Sequence, residues 1–369
     1  MAIILDSLNA LRRYRNLFLL GLAILLQVVF IQFPLLVEKV YSTSCFPYIS
    51  QFSRFCVGWI PFSVGDCLYV GFICFLLVKM GRFIFLLVKK RLNKKVWLAI
   101  AKKNVIFLGC MYLIFNVLWG LNYHRAGSAY QLGIQPKAYS IAELKRLTDT
   151  LNARLTAVVP QISQGDSAIW YNSDALINAS QRAYDVVSIK YPFLKYKTPA
   201  IKKMLVNGMG GFGGFSGYIN PFTAEAQVDA TLPPYTRSYV LCHEMAHQLG
   251  YAAEEEANMI GYLAIKSSAN PAMRYSGYHD LLWMASRELY LRDSVSFFAL
   301  KEKITPLVKL HTRQSNDYYK SFRNPFQPIL TWWYDKYLKA NSQTKGMKSY
   351  SYVTAWLIAY ANTFGWDKL

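Results

Sequence analysis

The sequence predicts a mostly helical α+β domain carried on a three-helix transmembrane anchor. Three observations point there. The long apolar stretches all lie within the first 121 residues. Basic residues cluster beside those stretches. The remaining chain shows helix caps and a single strand-like segment, and no later stretch is long and apolar enough to span a bilayer.

The first apolar stretch, 17–37, is uncharged and long enough to cross ~30 Å of hydrocarbon. It is too long for the apolar core of a cleaved signal peptide, and no small-residue cleavage site comes after it. The second runs from about 63 to 88. Ser63 and Asp66 read as a helix N-cap and its reciprocal acid. Lys79 and Arg82 fall near the end of this stretch, where long basic side chains snorkel to the interface. The third covers 104–121.

Charge placement sets an expected orientation. Arg12, Arg13 and Arg15 precede the first stretch, and seven Lys and Arg residues fill 89–103, whereas the loop between the first two stretches holds only Lys39 and Arg54. Positive residues stay inside, so 89–103 is expected in the cytoplasm and 122–369 on the other side. Cys45 and Cys56 then fall in an oxidising compartment and are expected to pair. Cys242 is expected to stay reduced, and Cys67, Cys74 and Cys110 to pack as small hydrophobes. The net charge of +20 accompanies no zinc finger, RNP motif or helix-turn-helix pattern. It reads as topology charge and contact with anionic membrane lipid, so no nucleic-acid partner is expected.

Beyond 121, Ser140 and Glu143 form a capping box that opens a helix to about 157. A second helix is expected over 174–189. The glycine-rich run 208–217 fits neither phosphate-binding spacing and is read as a flexible flap. A strand is expected over 218–230, ended by Pro233 and Pro234. The rest reads as helical, with breaks near Pro271, Pro306, Pro325, Pro328 and Gly346.

The chemistry concentrates in His243-Glu244-Met245-Ala246-His247, within an apolar-periodic stretch that reads as helix. Residues at i and i+4 share a helix face, so both imidazoles can reach one zinc ion at ~2.0–2.1 Å. Glu244 can then reach a water at the metal, as a general base must. Two surface histidines with an incidental acid would give the same five letters. The residues just beyond the motif argue against that: Gly250, where helices commonly end, and then Glu254-Glu255-Glu256 opening an apolar helix. An acid triplet in a first turn also complements the helix dipole, yet one of its carboxylates can complete a His2Glu zinc set. His124 and His311 lack ligand spacing and read as structural.

The pattern from Cys242 to Tyr251, with Glu254-Glu-Glu-Ala-Asn258 after it, resembles gluzincin-type peptidases, in which the third ligand is a Glu of an E-x-x-A-D or E-x-x-A-N helix. More closely, the chain resembles a domain-of-unknown-function family of bacterial inner-membrane proteins with three N-terminal spans and an extracytoplasmic zincin-like domain. The likeness covers nearly the whole chain. It extends to Trp119-Gly-Leu-Asn-Tyr123, to the run from Gly217 to Ala226, to Arg274-Tyr-Ser-Gly-Tyr278 and to Gly346-Met-Lys-Ser-Tyr350. The resemblance implies a zinc metallopeptidase acting on an extracytoplasmic polypeptide, with Glu244 as base and His243, His247 and Glu254 as ligands. Glu256 remains the alternative ligand. Asn258, an Asp in many gluzincins, would orient a ligating histidine. Zincins also set an edge strand beside the cleft and an electrophilic donor near the oxyanion. The strand at 218–230 is the candidate for the first, and Tyr275, Tyr278 and His279 for the second. Two other readings stay open: a zinc hydrolase or amidase acting on non-protein envelope material, and a non-catalytic membrane scaffold with a relic site. An intact Glu244 argues against the relic.

Overall fold

A computed structural model describes residues 2–91, 93–341 and 353–369, with the backbone alone for 2–14. The described residues are mostly helical, with one three-stranded sheet. Gly346-Met-Lys-Ser-Tyr350 lies outside the described residues.

Helix α1 spans Ala2–Phe30, and after a break the chain turns by 99° into a run of helical turns ending at Gly58. The straight span predicted over 17–37 therefore stops at Phe30. Pro34 has no N–H to donate to the Phe30 carbonyl, so the helix cannot continue through it. Val37 lies buried against Tyr41, Phe46 and Trp119 rather than facing outward. Helix α2 (Phe46–Gly58) comes next.

Helices α3 (Val64–Val88) and α4 (Lys94–Leu118) are each long and apolar enough to cross a membrane, and the bent α1–α2 pair gives a third candidate. Ser63 caps α3 by accepting from Asp66 N at 2.9 Å. Asp66 does not reciprocate as a capping box would. Its carboxylate accepts instead from Leu205 N at 2.7 Å and from the Tyr218 hydroxyl. Helix α4 starts ten residues before the predicted 104, because Asn93 accepts from Val96 N and caps it there. It ends at Leu118, so Leu121 sits in the short 3-10 turn Gly120–His124.

Residues 37–66 pack onto the later domain. Glu38 pairs with Arg125, Ser50 donates to Gln248 O at 2.9 Å, and the backbone N–H groups of Val64 and Gly65 donate to Glu225. Cys45 and Cys56 are both free thiols, contrary to the predicted bridge. Cys45 caps α2 and Cys56 lies three turns along it. At ~1.5 Å rise per residue their Cα atoms stand about 16 Å apart, beyond the ~7 Å a disulfide spans. Cys242 is free and buried.

Helix α5 (Ile141–Val158) keeps its Ser140–Glu143 capping box, and α6 spans Ser173–Lys190. Leu144, Leu147, Leu151 and Leu155 recur on one face of α5 and are fully buried. The predicted strand over 218–230 is instead two short strands, because Asn220 and Pro221 turn the chain between them. Strands β1 (Ile201–Lys203), β2 (Gly217–Ile219) and β3 (Ala226–Val228) form a sheet of order β1-β3-β2, with β2 antiparallel to β3. The glycine-rich run is a short turn held by Asp229, whose carboxylate accepts from Gly208 N and Gly211 N, so it is tethered rather than a free flap.

The remaining helices of ten or more residues among the described ones are α7 (Arg237–Gln248), α8 (Glu254–Lys266), α9 (Pro271–Arg292), α10 (Ser294–Lys303), α11 (Pro306–Ser321), α12 (Gln327–Ala340) and α13 (Val353–Phe364). Pro271 and Pro306 occupy first-turn positions of α9 and α11, where the missing N–H costs nothing. Helices α7 and α8 pack face to face. Gly261 permits this, since a Cβ there would lie 3.0 Å from His243 N.

Candidate metal centre

Helix α7 places His243 and His247 one turn apart with ring centroids 4.7 Å apart. Gly250, at φ +90, reverses the chain directly after α7, and α8 opens on Glu254. A side chain at 250 would meet Phe46 and Asn122 as well as the backbone strain, so glycine is required there. The result brings one ligand atom each from His243, His247 and Glu254 within 4.8 Å of one another. Glu254 Oε2 lies 3.2 Å from His243 Nε2 and 3.7 Å from His247 Nε2.

The outer nitrogens decide what the inner ones can do. His243 Nδ1 lies 2.9 Å from Asn258 Oδ1, which also accepts from the Tyr239 hydroxyl. His247 Nδ1 lies 2.6 Å from the Tyr251 carbonyl. Both partners are acceptors, so both Nδ1 atoms donate. In the neutral imidazole each Nε2 then presents a lone pair. These lone pairs face Glu254 Oε2, a buried oxygen for which no donor outside the two imidazoles is present among the described residues. Three buried electron pairs converging on one point fit a divalent cation.

The electrostatics are consistent with that. Burial lowers the His243 pKa. Burial also acts to lower that of His247, but hydrogen bonding to the Glu254 carboxylate outweighs it and lifts the group to about 9. A divalent cation bound between them would take the place of a proton shared by Glu254 and His247. Burial pushes the Glu244 carboxyl up to about 8, with repulsion from Glu254 adding to it and His247 opposing. That range suits a proton shuttle near neutral pH. Strand β2 runs beside this carboxyl. A Cβ on Gly217 would sit 2.6 Å from Glu244 Oε1, so the edge strand approaches as closely as backbone can.

Other predicted residues are engaged elsewhere. Glu256 accepts from Ser128 N at 2.7 Å and is not in the converging set. Tyr275 bonds His311 Nδ1 at 2.6 Å, and the Tyr278 ring packs on Tyr262. His279 has Nδ1 on Asp280 at 3.0 Å and Nε2 near the Thr312 hydroxyl at 3.5 Å. Both His279 nitrogens and the Tyr275 hydroxyl thus have partners within the packed helices. His124 is half-buried, and burial lowers its pKa.

Three contacts at the centre went unread in the sequence. The Tyr334 hydroxyl, from α12, donates to Glu254 Oε1 at 3.0 Å. The Trp119 ring lies edge-on to His247 at 6.0 Å. Arg125 grips Glu38 with two nitrogens, donates to Gly250 O at 3.0 Å and stacks 4.4 Å over Tyr251. It thereby braces the turn whose Tyr251 carbonyl orients His247. Neither Tyr334 nor Arg125 lies near the His-Glu motif in sequence, and no local pattern marks them.

No curated protein and no solved structure matches the chain. A family model described as "Protein of unknown function (DUF3810)" matches residues 41–358, a stretch that takes in both long apolar helices and the whole His243–Glu254 centre, and the chain belongs to that family.

Proposed function

We propose that this protein is a membrane-anchored zinc metallopeptidase that hydrolyses an extracytoplasmic polypeptide. The observation that carries the reading is the convergence of two imidazole Nε2 atoms and a Glu254 oxygen beside a second buried carboxyl, Glu244. His243, His247 and Glu254 would hold the ion. Zinc, when bound, supplies a Lewis acid that polarises the scissile carbonyl and acidifies water.

The chain's own groups supply the rest. Glu244 takes the proton from the attacking water and passes it to the leaving amine, a role its raised pKa suits. Asn258 and the Tyr251 carbonyl hold the two imidazoles in the Nδ1–H tautomer. Tyr334 orients Glu254 through its second oxygen. An extended peptide laid against the edge of β2 would bring its backbone past Glu244 at Gly217, which supports a polypeptide substrate. The packing of residues 37–66 on the domain supports the orientation, since the loop after the first span and the domain after the third then share one side.

The test is metal analysis and peptide-library cleavage with the purified full-length chain. One zinc per chain is expected, with cleavage that Glu244→Gln abolishes while retaining the ion. A zinc-loaded protein that cleaves no peptide but releases product from envelope glycans or amides would move the reading to another hydrolase class.

A further inference from the structure

Helix α12 meets the domain along one stripe only. Tyr334 and Leu338 turn inward, Tyr334 onto Glu254. Phe326, at its N-cap, and Ile329, Leu330, Trp332 and Trp333 are exposed. At 100° per residue these five fall within about 160° of arc, one broad apolar face adjoining the buried one. Trp333 is 64% exposed, Phe326 61% and Ile329 56%. Lys336 lies within that face, over the Trp332 ring, and Lys339 lies at its edge. An apolar face carrying basic residues is the pattern of a helix lying in a membrane interface, with tryptophan at the headgroup level.

Both ends of α12 are tied to segments next to the membrane-length helices. At one end the Tyr337 hydroxyl lies 3.3 Å from that of Tyr123, just past the end of α4. At the other, Asn324 donates to Phe212 O, in the turn that comes after Leu205, whose N–H is held by Asp66 in the first turn of α3. The helix therefore rides at the level where α3 and α4 leave the domain. A surface at that level is covered by lipid if those helices cross a bilayer.

We infer that α12 is an interfacial helix, seated in the lipid of the same membrane by its Phe326–Trp333 face, and that it roofs the metal centre from that position through Tyr334. The inference rests on the reading of α3 and α4 as spans, and it does not require the centre to hold zinc. It places the centre against the bilayer surface, so its substrates would be the membrane-proximal parts of polypeptides.

The test is photo-crosslinking of the full-length chain in vesicles of phosphatidylcholine and phosphatidylglycerol. p-Benzoylphenylalanine replaces Trp333, or Ile329 as a second position on the face. Leu77, exposed on α3, is the lipid-facing control, and Tyr171, exposed on the domain, is the solvent-facing one. Lipid adducts at 333 and 329 of the same order as at 77, with none at 171, are expected. Adducts to the chain itself or to a second copy, or none at 333 and 329 while 77 reacts, would overturn the inference. Zinc content of the same preparations is measured separately, so failure of the metal reading is distinguishable from failure of this one.

Discussion

His243 with His247, and His279 with His311, are both pairs of neighbouring imidazoles set beside a carboxyl group and tyrosines. Their nitrogens are spent differently. In the first pair both Nδ1 atoms donate to carbonyl oxygens, and both Nε2 atoms point at one carboxylate oxygen. In the second, His279 bonds its neighbour Asp280 and faces Thr312, while His311 accepts from Tyr275 and stacks at 3.8 Å on Tyr235. One arrangement leaves electron pairs converging, and the other consumes them pair by pair. Residue type alone does not separate a ligand set from a packed polar cluster. The placement of the second nitrogen does.

Metal content breaks the comparison most directly. His243→Ala, His247→Ala and Glu254→Ala should each lose stoichiometric zinc, whereas His279→Ala should retain it. Glu256→Ala should also retain it, since its carboxylate caps Ser128 rather than facing the imidazoles. Inductively coupled plasma analysis of full-length protein reads both arms. Zinc retained by Glu254→Ala would mean that the centre is not the ligand set.

The next effect is on rate. Glu244→Gln should keep the ion and lower peptide hydrolysis by ~10²–10⁴-fold, the usual share of a general base. If hydrolysis persists at near wild-type rate, Glu244 is a buried structural acid, like Asp280 in the second cluster. Asn258→Ala should act more mildly. It frees the His243 ring to rotate and change tautomer, and weakens zinc affinity by roughly 10–100-fold, which a competitive chelator titration measures. An unchanged affinity would show that Tyr239 and the helix backbone hold the ring without Asn258.

Sequence distance decided how much of the fold and the centre was legible. All three ligand candidates lie within residues 243–254, so helix periodicity and one glycine turn bring them together. Asn258 was legible for the same reason, one turn beyond Glu254. Tyr334 reaches Glu254 from a separate helix 80 residues on, and Arg125 reaches Gly250 from 125 residues back. Such contacts depend on tertiary packing and leave no local spacing to read. Elsewhere the signals were local, but a stronger pattern masked them. Pro34 broke an apolar run whose length alone suggested one straight span. Asn93 capped a helix whose first turns are too basic to resemble a membrane segment. The Cys45–Cys56 pairing came from the compartment and overlooked that α2 would hold the two thiols apart.

The smallest effect sharpens the comparison from its second half. Burial, aided by repulsion from His279, lowers the His311 pKa to about 4, against ~6.5 for an unfolded histidine. Between those values the unfolded chain binds more protons at this position than the folded one. Stability therefore rises with pH across that window. The contribution is fully present above ~6.5 and is lost as pH falls toward about 4. His311→Phe keeps the stack on Tyr235 but leaves the Tyr275 hydroxyl without its acceptor, a cost of about 1–3 kcal/mol at every pH. The variant should therefore melt lower at pH 7.5 and lose less on acidification. A zinc-loaded centre would also loosen in acid, but it would do so in both proteins, so the difference between the two Tm–pH curves isolates His311. Parallel curves between pH 6.5 and 4 would mean that His311 titrates freely, and that the second cluster is not a closed set of pairwise bonds.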